Sequence, residues 1–389
     1  MKLVILSSEL KEQEKIANWV KDKISGILRH LNIEIFTNQL NLQDHEGYIV
    51  IPATGGTEKK MLKIIEYGKP VLLWAIPYHN SLPAALEVYA YVKNSYPVEI
   101  MYSNLDESSL PKITSFLNTC KAIYTLKNFR FGCIGGISEW ILSTDCRADI
   151  IHIDIDELIH ELKKVKEVEI PIDLEIEVPK NELINSLKVY EAIKRIISKY
   201  NLSAITIKCF DLFKYGYSAC LAMSLLNDLG IVAGCEGDIC ATYTMAICHL
   251  IANRPCWMAN VCRINIDKNT ITFAHCTIPT KMIETSRSTI TTHMETGKFC
   301  AIRGELKKDY VTIVRFNGNT MSISLGKVIR SNMGFENLCR TQAEVELVEG
   351  NVNDFIEKTT GNHHILVYGD IRSELVSFCK LNGLKHILI

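Results

Sequence analysis

The residues able to do chemistry gather in the second half of the chain. Cys235-Glu236-Gly237-Asp238 stands directly before an apolar run, Ile239–Ala252, whose spacing predicts a helix. Two carboxylates two residues apart at a helix start converge on one cation; in the competing reading Asp238 is simply the N-cap, worth on the order of 1 kcal/mol. Gly237 between them permits a turn that points both the same way. Asp211 follows the predicted strand Ala204–Lys208, and ligands of parallel sheets sit beyond the carboxyl ends of strands; a turn-initiating Asp is the alternative. Strand alternation through Thr270–Ala274 sets His275 on the face of Ile271 and Phe273, expected to be the buried one, where an imidazole needs a partner. His363-His364 opens the apolar strand Ile365–Tyr368, so one ring is expected to point inward and the other outward. His293, in the polar loop Thr292–Gly297, is either a substrate contact or a solvated side chain. Asp211, Glu236, Asp238, His275 and His364 together make a carboxylate–imidazole set that suits Mn²⁺, Fe²⁺ or Mg²⁺ better than a thiolate-bound metal.

Thiolates would be the rival donors. Eight of the 14 cysteines lie between Cys209 and Cys276, yet no C-x-x-C occurs, and structural zinc sites take their ligands in close pairs. The N-terminal apolar run Leu3–Leu6 is too short for a secretory signal and reads as a first strand. Reduced thiols acting as small apolar residues in a cytoplasmic protein are the expectation.

The elements that must position these groups follow from periodicity. At 389 residues the chain holds two to three domains, and 43 Lys+Arg against 44 Asp+Glu leaves no basic footprint for nucleic acid or anionic membrane. No apolar run reaches the length of a membrane span. Strand and helix patterns alternate through residues 1–126, beginning with Lys2–Leu6 and a helix over Glu9–Leu31, which predicts an N-terminal α/β domain with a parallel sheet. A second α/β unit, 127–259, restarts the rhythm at Phe129–Ile134, with helices expected over Ser138–Thr144, Asn181–Tyr200, Ser218–Leu229 and Ile239–Ala252. Short alternating strands then predict a β-rich, barrel-like C-terminal domain over 260–389. The fold class is therefore α/β, two doubly wound parallel-sheet domains followed by a β-rich one. Gly55-Gly56-Thr57 and Gly135-Gly136-Ile137-Ser138 each follow a strand and are expected to open a helix, where close backbone approach suits a bound sugar or anion; a tight capped turn explains them equally well. Gly55, Gly56, Thr57, Ser138 and His293 are the candidate substrate-binding residues.

These motifs resemble those of the L-fucose isomerase and L-arabinose isomerase superfamily of metal-dependent aldose–ketose isomerases. The resemblance rests on Cys235-Glu236-Gly237-Asp238, Ala274-His275-Cys276-Thr277, the Thr292–Gly297 loop and Gly361-Asn362-His363-His364, with weaker echoes at Gly55–Glu58, Pro77–Ser81 and Gly135–Ser138. It implies a divalent ion, commonly Mn²⁺, held by Asp211, Asp238 (with Glu236 its rival), His275 and His364, the second histidine of its pair. Asp211 stands where the family usually has Glu, and the chain is shorter than the well-studied sugar isomerases. The resemblance further implies a small-molecule sugar substrate, an enediolate route with Asp211 or Glu236 moving the proton, and a homo-oligomer, trimer or hexamer. A sugar-binding or regulatory protein on the same scaffold, and an epimerase, are the alternatives.

Overall fold

The computed structural model of the chain describes residues 1–10, 12–39, 45–169 and 174–389. Contacts divide these into two compact units, one of residues 1–127 with 373–385 and one of 128–372 with 386–389.

The first unit is built on β1 (Lys2–Leu6), β2 (Glu34–Thr37), β3 (Tyr48–Pro52), β4 (Val71–Ala75) and β5 (Val98–Tyr102), connected through α1 (Gln13–Ile27), α2 (Glu58–Ile65) and α3 (Ser81–Val92), with α4 (Leu110–Leu126) following β5. The strands run parallel in the order β2-β1-β3-β4-β5. Every residue of β1, β3 and β4 is buried, which is why these strands read as continuous apolar runs rather than alternating ones.

The second unit begins with β6 (Phe131–Ile134), β7 (Ile150–Ile153), α5 (Ile155–Lys163), the short β8 (Glu175–Ile176), α6 (Lys180–Tyr200), β9 (Ala204–Ile207), α7 (Cys220–Asp228), β10 (Val232–Cys235) and α8 (Ile239–Ala252). Four of these strands form a parallel sheet ordered β10-β9-β6-β7. Chain order reverses at β6, so the loops after β6, β9 and β10 open on one sheet edge, the position where such sheets bind ligands. Residues 170–173 of the proline-bearing stretch Val165–Lys180 lie outside the described residues.

The remainder of the chain is mainly antiparallel: β11 (Trp257–Asn265), β12 (Thr270–His275), β13 (Thr289–Thr291), β14 (Ala301–Arg303), β15 (Tyr310–Asn317), β16 (Thr320–Ser331), β17 (Thr341–Leu347), α9 (Val352–Lys358), β18 (His364–Tyr368), α10 (Arg372–Leu381), most of which belongs to the first unit, and β19 (Lys385–Leu388). The order β15-β18-β11-β12-β17-β16, closed by β15 pairing with β16 across the two-residue turn Gly318-Asn319, makes a six-stranded barrel. Strands β13 and β14 pair with β8 in a small separate sheet. The predicted α/β-then-barrel fold class is the one observed.

One expected element is absent. Residues 138–144 form a turn and irregular chain instead of a helix. Gly135 and Gly136 both adopt left-handed φ, 76° and 86°, which swings the chain off the helical path, and Ser138 N–H donates to the Glu236 carbonyl at 3.1 Å rather than serving a helix start. The diglycine docks a loop onto the acidic motif.

Candidate metal centre

Local structure explains how Glu236 is aimed. It follows β10 directly with φ +60°, a left-handed conformation uncommon for a residue with a side chain, and Gly237 continues with φ +66°. Gly237 is required: a Cβ there would lie 2.2 Å from the Gly136 carbonyl oxygen and 2.8 Å from Ile137 Cα, so the two loops touch only because one side chain is missing. Gly237 N–H bonds to Ile207 O at 2.9 Å, tying the turn to β9. Asp238 then caps α8, its Oδ1 accepting from Ala241 N–H at 2.8 Å.

The barrel supplies the imidazoles. β11 lies between β12 and β18, pairing Asn260 with Ala274 on one side and Ala259 with His364 on the other, so the end of β12 and the start of β18 are level. His275 and His363 meet with ring centroids 5.8 Å apart. Glu236 Oε1 lies 3.7 Å from His275 Nε2 and 3.6 Å from His363 Nε2. Ligand-capable atoms of Glu236, His275 and His363 all fall within 4.8 Å of one another.

Those 3.6–3.7 Å separations exceed hydrogen-bond length. His363 Nδ1 lies 2.9 Å from Asp238 Oδ2, and because a carboxylate only accepts, Nδ1 carries a proton, which leaves Nε2, facing Glu236, as the nitrogen that can give up its proton to a cation. Among the described residues His363 Nε2 has no hydrogen-bond partner although the side chain is 1% exposed. A buried nitrogen so placed needs a partner. One carboxylate oxygen and two imidazole nitrogens are a donor set for a divalent ion, and the Asp238–His363 bond is the outer-sphere contact that orients metal-binding histidines.

Asp238 is held in turn by Arg315, from β15. Arg315 Nη1 donates to Asp238 Oδ2 at 2.9 Å and to the His363 carbonyl at 3.2 Å, with both side chains of the ion pair 1% exposed. Electrostatics follow the geometry. Burial alone would push the Glu236 carboxyl up, but the two imidazoles outweigh it and hold the group far below the ordinary carboxylate range. Asp238 is likewise lowered against its burial, by His363 and then Arg315. Burial disfavours an imidazolium at His363, yet the bond to Asp238 and the contact with Glu236 prevail and lift it to about 9.

The other candidates are placed differently. Asp238 reaches the cluster through His363 rather than as a member of it, so its N-cap and site roles coexist on separate oxygens. His364 is not brought in: its Nδ1 bonds the Asn362 carbonyl at 2.8 Å, its Nε2 the Thr359 hydroxyl at 2.9 Å, and it packs on Phe355, with burial pushing it down to about 3. Both rings of the pair are buried, contrary to the expected one-in, one-out arrangement. That expectation treated them as one strand, whereas β18 begins only at His364. Asp211 lies outside the cluster on the short 3₁₀ segment Cys209–Tyr215; Lys214 at 2.9 Å, with Lys208 at 3.6 Å, keeps it ionised below its usual range against partial burial.

His293 is buried, not solvated, with its ring against Phe213 and Phe210 at 5.0 and 5.9 Å. Ser138 is buried under the Glu236 loop. In the first unit Gly55 and Gly56 line a cavity of about 1110 Å³ with Lys59, Lys60 and Lys63, while Thr57 is buried and donates to the Thr54 carbonyl. All 14 cysteines are free, and Cys235, beside Glu236, is pushed up by Cys209 and by burial, a protonated packing group rather than a ligand. Two residues escaped the sequence reading, Arg315 and Trp140. A lone charge in the apolar strand Val311–Phe316 was the available signal for Arg315; Trp140 was hidden inside the expected helix. Among the described residues no helix is long and apolar enough to cross a membrane.

No family model matches the chain. Two curated proteins, the sulfoquinovose isomerases of Priestia aryabhattai and Priestia megaterium, are each 24% identical to it over 366 residues, covering 84% of this chain and 81% of theirs. The chain carrying the Glu236–His275–His363 cluster is thus similar, over most of its length, to sugar isomerases.

Proposed function

We propose that the chain is an aldose–ketose isomerase in which Glu236, His275 and His363 hold a divalent cation, with Mn²⁺ the ion to test first. The observation that carries this reading is the convergence of three ligand atoms within 4.8 Å beside an unpartnered buried imidazole nitrogen; similarity to sugar isomerases over 84% of the chain supports it. A cation there would supply Lewis-acid stabilisation of the negative charge that develops on O1 and O2 of an open-chain sugar. The protein's own part is to keep carboxylates ready for the proton that moves between C2 and C1. Glu236 and Asp211 are both held ionised, Glu236 by two imidazoles and Asp211 by two lysines.

Mn²⁺ uptake by purified protein, followed by product analysis over a panel of aldoses, tests the reading. One bound Mn²⁺ and a ketose product are expected; no uptake, with sugar bound unchanged, would favour a sugar-binding protein instead, and an epimeric aldose an epimerase. Asp211→Asn separates the two acids. If it keeps Mn²⁺ and loses turnover, proton transfer belongs to Asp211; if it keeps both, to Glu236.

The pH dependence of uptake has a defined sign. His363 is raised to about 9, so in the metal-free protein at pH 7 it is protonated and must lose its Nε2 proton to become a ligand. Binding at pH 7 therefore releases about one proton, and affinity rises by about tenfold per unit as pH climbs toward 9, then levels off. Titrations in buffers of different ionisation enthalpy measure the release; uptake independent of pH from 7 to 9 contradicts it.

A further inference from the structure

We infer that Trp140 is a positioning residue for the metal-binding carboxylate: its indole N–H fixes the rotation of Glu236 so that one oxygen faces both histidines. The inference rests on the metal reading above and extends it to a residue outside the ligand set.

Glu236 has two oxygens with different duties. Oε1 is the atom that faces His275 and His363, while Oε2 accepts a 2.6 Å hydrogen bond from Trp140 Nε1. A carboxylate free to rotate about its terminal torsion presents either oxygen, or a plane between them, to a cation, because that torsion is broad and two-fold. A single donor on Oε2 removes that freedom, and an indole has no other hydrogen-bonding function. Such outer-sphere contacts orient ligands and are part of a metal site.

The surrounding chain is organised to deliver that indole. The Gly135-Gly136 turn carries residues 137–140 across the acidic motif, and Ser138 N–H bonds to the Glu236 backbone carbonyl at 3.1 Å. The missing Cβ of Gly237 lets the loops touch. On the next residue, Glu139 is gripped by Lys208 Nζ at 2.5 Å, which ties the loop to the end of β9. The indole leans edge-on against Phe210 at 5.2 Å, itself in contact with Phe213 and His293. The ring keeps 52% of its surface exposed, while its one polar atom is seated on Glu236 Oε2.

Trp140→Phe keeps an aromatic ring for Phe210 while deleting the donor, along with the second ring of the indole. Mn²⁺ affinity is measured by titration for wild type, Trp140→Phe, Glu236→Asp, which draws the carboxylate back from the indole by one methylene, and the double variant. Thermal unfolding of each metal-free protein serves as the fold control. Expected are an affinity loss of about tenfold to a hundredfold in Trp140→Phe, an unchanged Tm, a kcat that falls more than KM changes, and no further affinity loss when Trp140→Phe is added to Glu236→Asp. Wild type that takes up no Mn²⁺ overturns the metal reading and this inference with it. Wild type that binds while Trp140→Phe binds within twofold overturns the inference alone, as does an equal loss in the Glu236→Asp background or a loss matched by a fallen Tm.

Discussion

Glu236→Gln is expected to abolish Mn²⁺ uptake and to lower kcat/KM by about a thousandfold or more, the range spanned by loss of a charged group acting on a developing oxyanion or a proton in flight. The substitution conserves volume, so the turn at φ +60° and its contacts with Gly136 and Ser138 are unaffected. What changes is the charge and the donor pattern. Glu236 Oε1 is the point common to both histidines, at 3.7 and 3.6 Å, and Oε2 receives Trp140. An amide has one acceptor for those two duties. With its oxygen on Trp140, its NH₂ faces the two imidazoles and occupies the place of a cation; with the amide reversed, the indole N–H confronts another donor. Titration and steady-state rates on a folded variant measure both effects, and Mn²⁺ affinity within a few-fold of wild type would remove Glu236 from the ligand set.

Asp238→Asn is expected to act on stability and metal affinity together. Three donors converge on this carboxylate: Ala241 N–H on Oδ1, and Arg315 Nη1 and His363 Nδ1 on Oδ2. Asparagine offers one oxygen, so either the cap of α8 or the contacts to Arg315 and His363 are lost. Arg315 is 1% exposed and would be left as a buried cation without a counter-charge, a situation that costs about 3–5 kcal/mol. His363 simultaneously loses the contact that sets its tautomer, and Mn²⁺ affinity is expected to fall by about tenfold to a hundredfold. Urea unfolding of the metal-free protein checks the first effect and Mn²⁺ titration the second. Adding Arg315→Met to Asp238→Asn removes the stranded cation and should restore part of the stability without restoring the metal. Full stability in the single variant would contradict the account of the ion pair.

The legible features were those encoded within a short stretch of chain. The apolar run Ile239–Ala252 with Asp238 before it announced a capped, buried helix, and that helix is found at those bounds. Strand alternation put His275 on the face of Ile271 and Phe273, and it is buried there, but so is every residue of β12, so both faces of this strand are covered. The barrel was legible too, in short strands separated by turn residues.

The choice of His363 over His364 was not legible, since two adjacent histidines before an apolar strand differ only in where the strand begins. That is decided by the pairing of β18 with β11, and by Asp238 and Arg315, 125 and 48 residues away from His363 in sequence. Trp140 and the Gly135-Gly136 turn belong to the same class. Their local sequence is compatible with a helix, and only the acidic loop 96 residues later, touching where Gly237 has no side chain, makes the non-helical path favourable. Periodicity and capping report interactions between near neighbours, and they set Glu236 and Asp238 ahead of α8 and His275 at the end of β12. Which atoms face one another across the site depends on strand register and loop contact between segments far apart in the chain, and it is there that Glu236, His275 and His363 become a cluster.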